Sequence, residues 1–178
     1  MLPDRNWLIR WAPVPLRLMV GYGFLMHGIL KSERGIDVFA AALQGLGFPA
    51  SHLLAWIATL IELLGGIAIL LGAYVQLASI PMIIVLLVAL CFVHLPFGFS
   101  SIKFLAVTAD GPQFGKPGIE CDLLYLACLA TLICGGSGPF SLDGYRERLR
   151  RASLSAPVPV MRDVRRKEHR PVPLQKQP

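Results

Sequence analysis

The sequence predicts an all-α fold: an integral membrane four-helix bundle with a disordered basic C-terminal tail. Three observations predict it. Leu53–Pro96 is a run of 44 residues that holds one carboxylate, Glu62, and one imidazole, His94. Across the 178 residues, 54% are hydrophobic and only 16% charged, where a soluble domain carries roughly a quarter charged residues. The basic residues, finally, are concentrated toward the two ends of the chain. As a helix the long run would extend ~66 Å at ~1.5 Å per residue, twice the ~30 Å of a hydrocarbon core. It therefore divides into two spans, folded back at Gly72-Ala73-Tyr74-Val75-Gln76.

The first predicted span, about Pro15 to Lys31, carries Arg17 near its start and His27 near its end. Pro13 and Pro15 suit a helix N-terminus, where a missing N–H is harmless. No small-residue cleavage site precedes this stretch, so it reads as a span and not as a cleavable signal. Ser32–Ala50 mixes polar and apolar residues, and Ile36–Leu43 reads as a short interfacial helix before Gly45-x-Gly47-x-Pro49. The second span, about Ser51 to Leu71, opens after Pro49 with Ser51 as its cap and ends at Gly72. The third runs from about Val75 to Leu95, with Pro81 near its start and Pro96 ending it. Phe97–Gly118 holds six glycines and prolines and reads as a loop with room for strand-like pairing. The fourth span, about Ile119 to Cys134, crosses fully only if Glu120 and Asp122 sit among head groups. Residues 1–143 are thus read as one domain, and 144–178 as a tail too polar to build a core.

Orientation follows from lysine and arginine. An even number of spans puts both termini on one side, and that side collects 13 of the 17 basic residues. Both termini are expected in the cytoplasm, in the cell membrane of a bacterium or archaeon. The clusters Tyr145–Arg151 and Arg162–Lys167 read as positive anchors that meet anionic lipid. They lack the interleaved aromatics of a nucleic-acid surface. Of the four cysteines, Cys91, Cys128 and Cys134 fall in apolar runs and read as packed thiols.

Polar residues inside spans are costly and mark function. From the helix rise, His27 lies ~18 Å and Glu62 ~15 Å from the cytoplasmic edge, with Arg17 at ~3 Å. Glu62 must be protonated, paired with His27 or Arg17, or exposed to a polar cavity. Gly21 and Gly28 on the first span and Gly65 and Gly66 on the second clear faces for close packing, which sets His27 against Glu62. A second polar set, Lys31, His52, His94, Glu120 and Asp122, gathers at the outer ends. No H-x₃-H or H-E-x-x-H spacing occurs, so no metal site is expected.

Several segments carry a resemblance. They are His27-Gly28-x-x-Lys31, Gly45-Leu46-Gly47-Phe48-Pro49, Ile61-Glu62-Leu63-Leu64-Gly65-Gly66, His94, Asp122-x-x-Tyr125 and Gly136-x-Gly138-Pro-x-Ser141-Leu142-Asp143. Over about Arg17 to Asp143 the chain resembles the DoxX family of small four-span membrane proteins. The resemblance implies redox chemistry at the membrane, since relatives include subunits of quinol oxidases and of thiosulfate:quinone oxidoreductases. Arg17, His27, Lys31, Glu62 and His94 match recurring polar positions of that family. Facing histidines placed as axial haem ligands are not evident, so no haem is expected.

The expected function is a membrane subunit of a redox system that interacts with quinone and with a separate soluble or peripheral oxidoreductase. Glu62 and His27 are the expected proton-relaying, catalytic pair, and Arg17, Lys31, His94 and Glu120 the expected cofactor-binding residues. The alternative is a non-catalytic anchor or assembly factor for a partner complex. A homo-oligomer is compatible with either, and whether the chain has activity of its own stays open. The topology is testable by cysteine labelling from outside in a Cys-free background. A probe at Gln113 should react and one at Ser153 should not; the reverse would overturn the orientation.

Overall fold

A computed structural model of the chain describes residues 4–155. The two predicted central spans form the helices that are long and apolar enough to cross a membrane, Ser51–Leu71 and Val75–Phe97. In order, α1 covers Arg5–Trp11, α2 Pro13–Arg34, α3 Ile36–Gly45, α4 Ser51–Leu71 and α5 Val75–Ala89. The α5 stretch continues as a π turn, Leu90–His94, and a 3₁₀ turn, Leu95–Phe97. A hairpin of β1 (Phe104–Thr108) and β2 (Gly111–Phe114) follows, then α6 (Glu120–Gly135) and α7 (Leu142–Ser155).

Local chemistry sets these boundaries. Pro13 stands in the first turn of α2, where its fixed φ is pre-formed for helix. Gly72 ends α4 in the left-handed region (φ 64°), with Ser141 and Arg17 packed where a side chain would stand, so only glycine fits. The expected Ser51 cap does not form. Ala50 takes the capping position at φ 49°, because the turn through Pro49 already brings Ser51 inside the helix.

The helices α2, α4, α5 and α6 pack in a ring, each against the next and α6 back against α2, while α3 lies on α4. Val20, Phe24, Ile69, Val75, Met82, Leu86, Leu129 and Leu132 fill the centre. A smaller cluster of Ala40, Leu43 and Ala55 seats α3. The outside is equally apolar: Leu18, Leu53, Leu64, Ile67, Leu77 and Ile84 are all exposed. A helix apolar all round and uncovered by protein suits a lipid solvent.

Three elements lie outside the expected spans. The N-terminal α1 precedes the first of them. The strand-like pairing expected in Phe97–Gly118 is present as an antiparallel hairpin whose strand residues are nearly all exposed. The tail expected to be disordered from residue 144 is helical to Ser155. There Glu147 and Arg151 pair at 2.9 Å across one turn, a spacing that supports a helix, and the Arg151 guanidinium holds the Glu147 carboxyl below its ordinary pKa. The rest of the expected tail, 156–178, lies outside the described residues. Cys91 and Cys134 are exposed and Cys128 half-buried, so the apolar runs place two of these thiols outward rather than in packing.

Close approach of α2 and α4 depends on glycine. A Cβ on Gly66 would fall 2.7 Å from the Leu25 backbone nitrogen and 2.9 Å from the Gly21 carbonyl oxygen. Gly45, by contrast, has nothing within 4 Å. Gly66→Ala should therefore destabilise the protein by ~1–3 kcal/mol through overpacking. Gly45→Ala should be neutral or stabilise by up to ~1 kcal/mol. Thermal melts of both variants in detergent check this, and equal melting temperatures would refute the backbone contact.

Candidate functional site

The seam between α2 and α4 fixes the azimuth of every polar side chain upon it. Gly21 meets Gly66 and Leu70, Gly66 meets Leu25, and Gly28 meets Leu63. Gly65 turns instead toward Met82 of α5, so the two adjacent glycines serve two different neighbours. Beyond Gly28, the side chain three residues on, Lys31, stays on the α4 side. Thr59, Glu62, Gly66 and Ile69 form the buried line of α4 that faces it.

Lys31 Nζ donates to Glu62 Oε1 at 2.6 Å. The Glu62 side chain is 7% exposed and that of Lys31 25%. The ammonium also sits 4.3 Å from the centre of the Phe39 ring of α3, so α3 roofs the pair with a face that favours a cation. Thr59 is a near neighbour along α4, but its hydroxyl donates to the Ala55 carbonyl. Glu62 Oε2 is buried and has no hydrogen-bond partner among the described residues.

This corrects the expected partner. His27 is exposed. It lies one residue, ~100° of helix rotation, from Gly28, which faces the seam, so it cannot meet Glu62. Arg17 does not reach Glu62 either. Its guanidinium donates to the carbonyls of Ser137 at 2.6 Å and Phe140 at 2.9 Å, beyond α6. Around it Ser141 Oγ donates to the Gly138 carbonyl, and the Asp143 N–H donates to the Gly72 carbonyl. The Asp143 carboxylate accepts from the N–H groups of Tyr74 and Val75 at 2.8 and 3.0 Å. An acid from α7 thus caps the N-terminus of α5, where free N–H groups attract negative charge.

The outer set resolves into separate pairs. His94 Nδ1 and Asp122 Oδ2 lie 2.6 Å apart, tying the π turn to α6. Glu120 Oε2 accepts from the Ser101 N–H at 3.0 Å and fastens the loop before α6. His52 and Asp37 meet at 3.0 Å on the exposed surface. No three His, Cys, Asp or Glu side chains converge as a metal site among the described residues. Sequence reasoning missed the roles of Asp122 and Asp143. The signal for Asp143 was present, as an acid closing a Gly-, Ser- and Pro-rich turn directly after an apolar helix.

Residues 12–95 match the model of the DoxX family. The segment holds Arg17, Lys31, Glu62 and His94, whereas Asp122 and Asp143 lie beyond it. The chain is also similar to an uncharacterized membrane protein of Mycobacterium tuberculosis, 28% identical over 132 residues, covering 72% of this chain and 77% of that one. No solved structure matches the chain significantly.

The partner assignment has a direct check. Lys31→Met strands a carboxyl group in an apolar seam and should cost roughly 3 kcal/mol, the low end for breaking a buried pair, since Lys31 keeps some solvent contact. Lys31→Met combined with Glu62→Leu should recover most of that loss. His27→Leu should stay within ~0.5 kcal/mol of the parent. Denaturant titration in detergent measures all three, and a His27→Leu loss equal to that of Lys31→Met would refute the pairing.

Proposed function

We propose that this chain, whose residues 12–95 match the DoxX family and which is similar to a mycobacterial membrane protein, is a four-span membrane subunit of that family that engages a quinone at Lys31 and Glu62 and serves a separate oxidoreductase. The spans are α2, α4, α5 with its terminal turns, and α6, with both termini cytoplasmic. One observation carries the reading: Glu62 is buried with one oxygen held by Lys31 and the other without a partner among the described residues.

That donor set fits a quinone head group. An ammonium and a free carboxyl oxygen, side by side in an apolar wall, can hydrogen-bond a carbonyl or a hydroxyl. A bound quinone would supply two-electron, two-proton redox chemistry. Lys31 fixes the carboxyl rotamer, keeps the pair neutral in low dielectric, and reaches toward the outer surface. Glu62 holds or releases a proton at Oε2. Arg17, His94 and Glu120 each tie two segments of the fold together through a hydrogen bond, so we assign them positioning roles rather than contact with the quinone.

The second reading, an anchor or assembly subunit, is favoured by a specific observation. Each polar tie, Arg17 to Ser137 and Phe140, Asp143 to α5, His94 to Asp122 and Lys31 to Glu62, also joins two elements of the bundle. A short-chain quinone titrated against the full chain in detergent separates the two. Trp56 on α4 lies six residues, ~9 Å, from Glu62, so its emission should be quenched saturably. Glu62→Gln keeps a hydrogen-bonding group but cannot carry a proton, and should abolish quinol-linked electron transfer to the partner while leaving the melting temperature near the parent's. No saturable quenching in the parent, or full transfer in Glu62→Gln, would favour the anchor.

A further inference from the structure

A groove between α4 and α5, with a volume of about 500 Å³, opens on the outer surface of the bundle. Ile57, Leu60 and Leu64 of α4 and Leu77 and Pro81 of α5 line it, and Tyr74 stands at its end. Its walls offer almost no polar surface. The volume is within the ~300–1,000 Å³ usual for sites that hold one small molecule. From Ile57 to Ala68 the groove follows α4 for ~16 Å, about half of a ~30 Å hydrocarbon core. That is the depth of one leaflet, and Tyr74 marks the cytoplasmic end of it.

A cation stands at that end. The Arg146 guanidinium of α7 lies 4.3 Å from the centre of the Tyr74 ring and makes no ion pair among the described residues. Arg150, one turn further along α7, shares its side of the helix. The nearby carboxylate, Asp143, is engaged with the N–H groups of Tyr74 and Val75. The site therefore joins a leaflet-length apolar slot to a guanidinium that has no ion pair among the described residues.

We infer that this groove binds one anionic glycerophospholipid, with an acyl chain along α4 and α5 and its phosphate against Arg146. The inference rests on the bilayer placement proposed above and is independent of the quinone reading, since it involves neither Lys31 nor Glu62. It assigns α7 a task beyond general attraction to a charged surface: selecting the head group of a particular lipid.

Native mass spectrometry of the full chain, released from detergent with equimolar phosphatidylglycerol and phosphatidylcholine of the same acyl chains, tests it. The parent should retain one phospholipid with about fivefold preference for phosphatidylglycerol, the gain expected from one arginine near an anionic head group. Arg146→Gln should retain phospholipid with that preference lost. Ala78 of α5 also lines the groove, so Ala78→Phe fills it and should retain neither lipid; should that variant melt early, Leu64→Trp fills the same slot from its exposed rim. Equal retention of the two lipids by the parent would overturn the inference, as would phosphatidylglycerol retention unchanged by both groove variants. A protein dimer abolished by Ala78→Phe, with no lipid bound to the parent, would assign the groove to a second copy instead. None of these arms contains quinone, so their failure leaves the Lys31–Glu62 reading standing.

Discussion

Removing a polar group from water without giving it a partner costs more than most other interactions return. That constraint organises this bundle from end to end. Arg17 is buried in the first turns of α2 and is matched by two carbonyls beyond α6. Asp143 is drawn to the bare N–H groups at the start of α5. Asp122 is buried and meets His94. In each case satisfying one group pulls a distant segment of chain onto the bundle. The apolar core supplies adhesion without direction, and the polar ties choose which helix lies beside which. Two buried atoms stay unmatched among the described residues: Arg17 Nε, on a guanidinium already held by two carbonyls, and Glu62 Oε2, on a carboxyl held at one oxygen by Lys31.

Much of this was legible in the sequence because lipid-facing helices are written in composition. The α4 bounds, Ser51–Leu71, and the short α3 before Gly45-x-Gly47 agree with the sequence reading. Gly21, Gly28 and Gly66 were rightly read as a close seam. The partner of Glu62 was misread because depth was weighed and azimuth was not. His27 and Glu62 have similar rise along their helices, yet Gly28 faces α4, and that orients Lys31 toward α4 while turning His27 away. The spacing from Gly28 held the answer. The roles of Asp122 and Asp143 were hidden for another reason. They depend on contacts between residues 28 and about 70 positions apart, which no local pattern encodes. The helical start of the tail was masked by its charge, although Glu147 and Arg151 stand one turn apart.

The site and the groove divide one bundle into two environments. Lys31 and Glu62 lie on the α2–α4 seam, roofed by α3, while the groove opens on the opposite flank of α4 toward α5. A single helix therefore presents a buried ionisable face and a lipid-accessible face about half a turn apart. The glycine pair between them keeps the wall thin: Gly66 admits α2 and Gly65 admits Met82. Substitution on one face need not disturb the other, provided that these two positions keep their small size.

The hairpin of β1 and β2 has a consequence for where the molecule sits. Its two strands pair only with each other, so each keeps one edge of unmatched N–H and C=O groups, which hydrocarbon does not tolerate. Phe99, Ile102, Leu105 and Val107 are nonetheless exposed around it and resist full immersion in water. Such a ribbon is stable only at the boundary between the two media. Attached to the end of α5 and the start of α6, it would, in the proposed placement, act as a float that sets the vertical register of the bundle. In the membrane placement proposed above, that draught would hold His94 and Asp122 just beneath the outer surface.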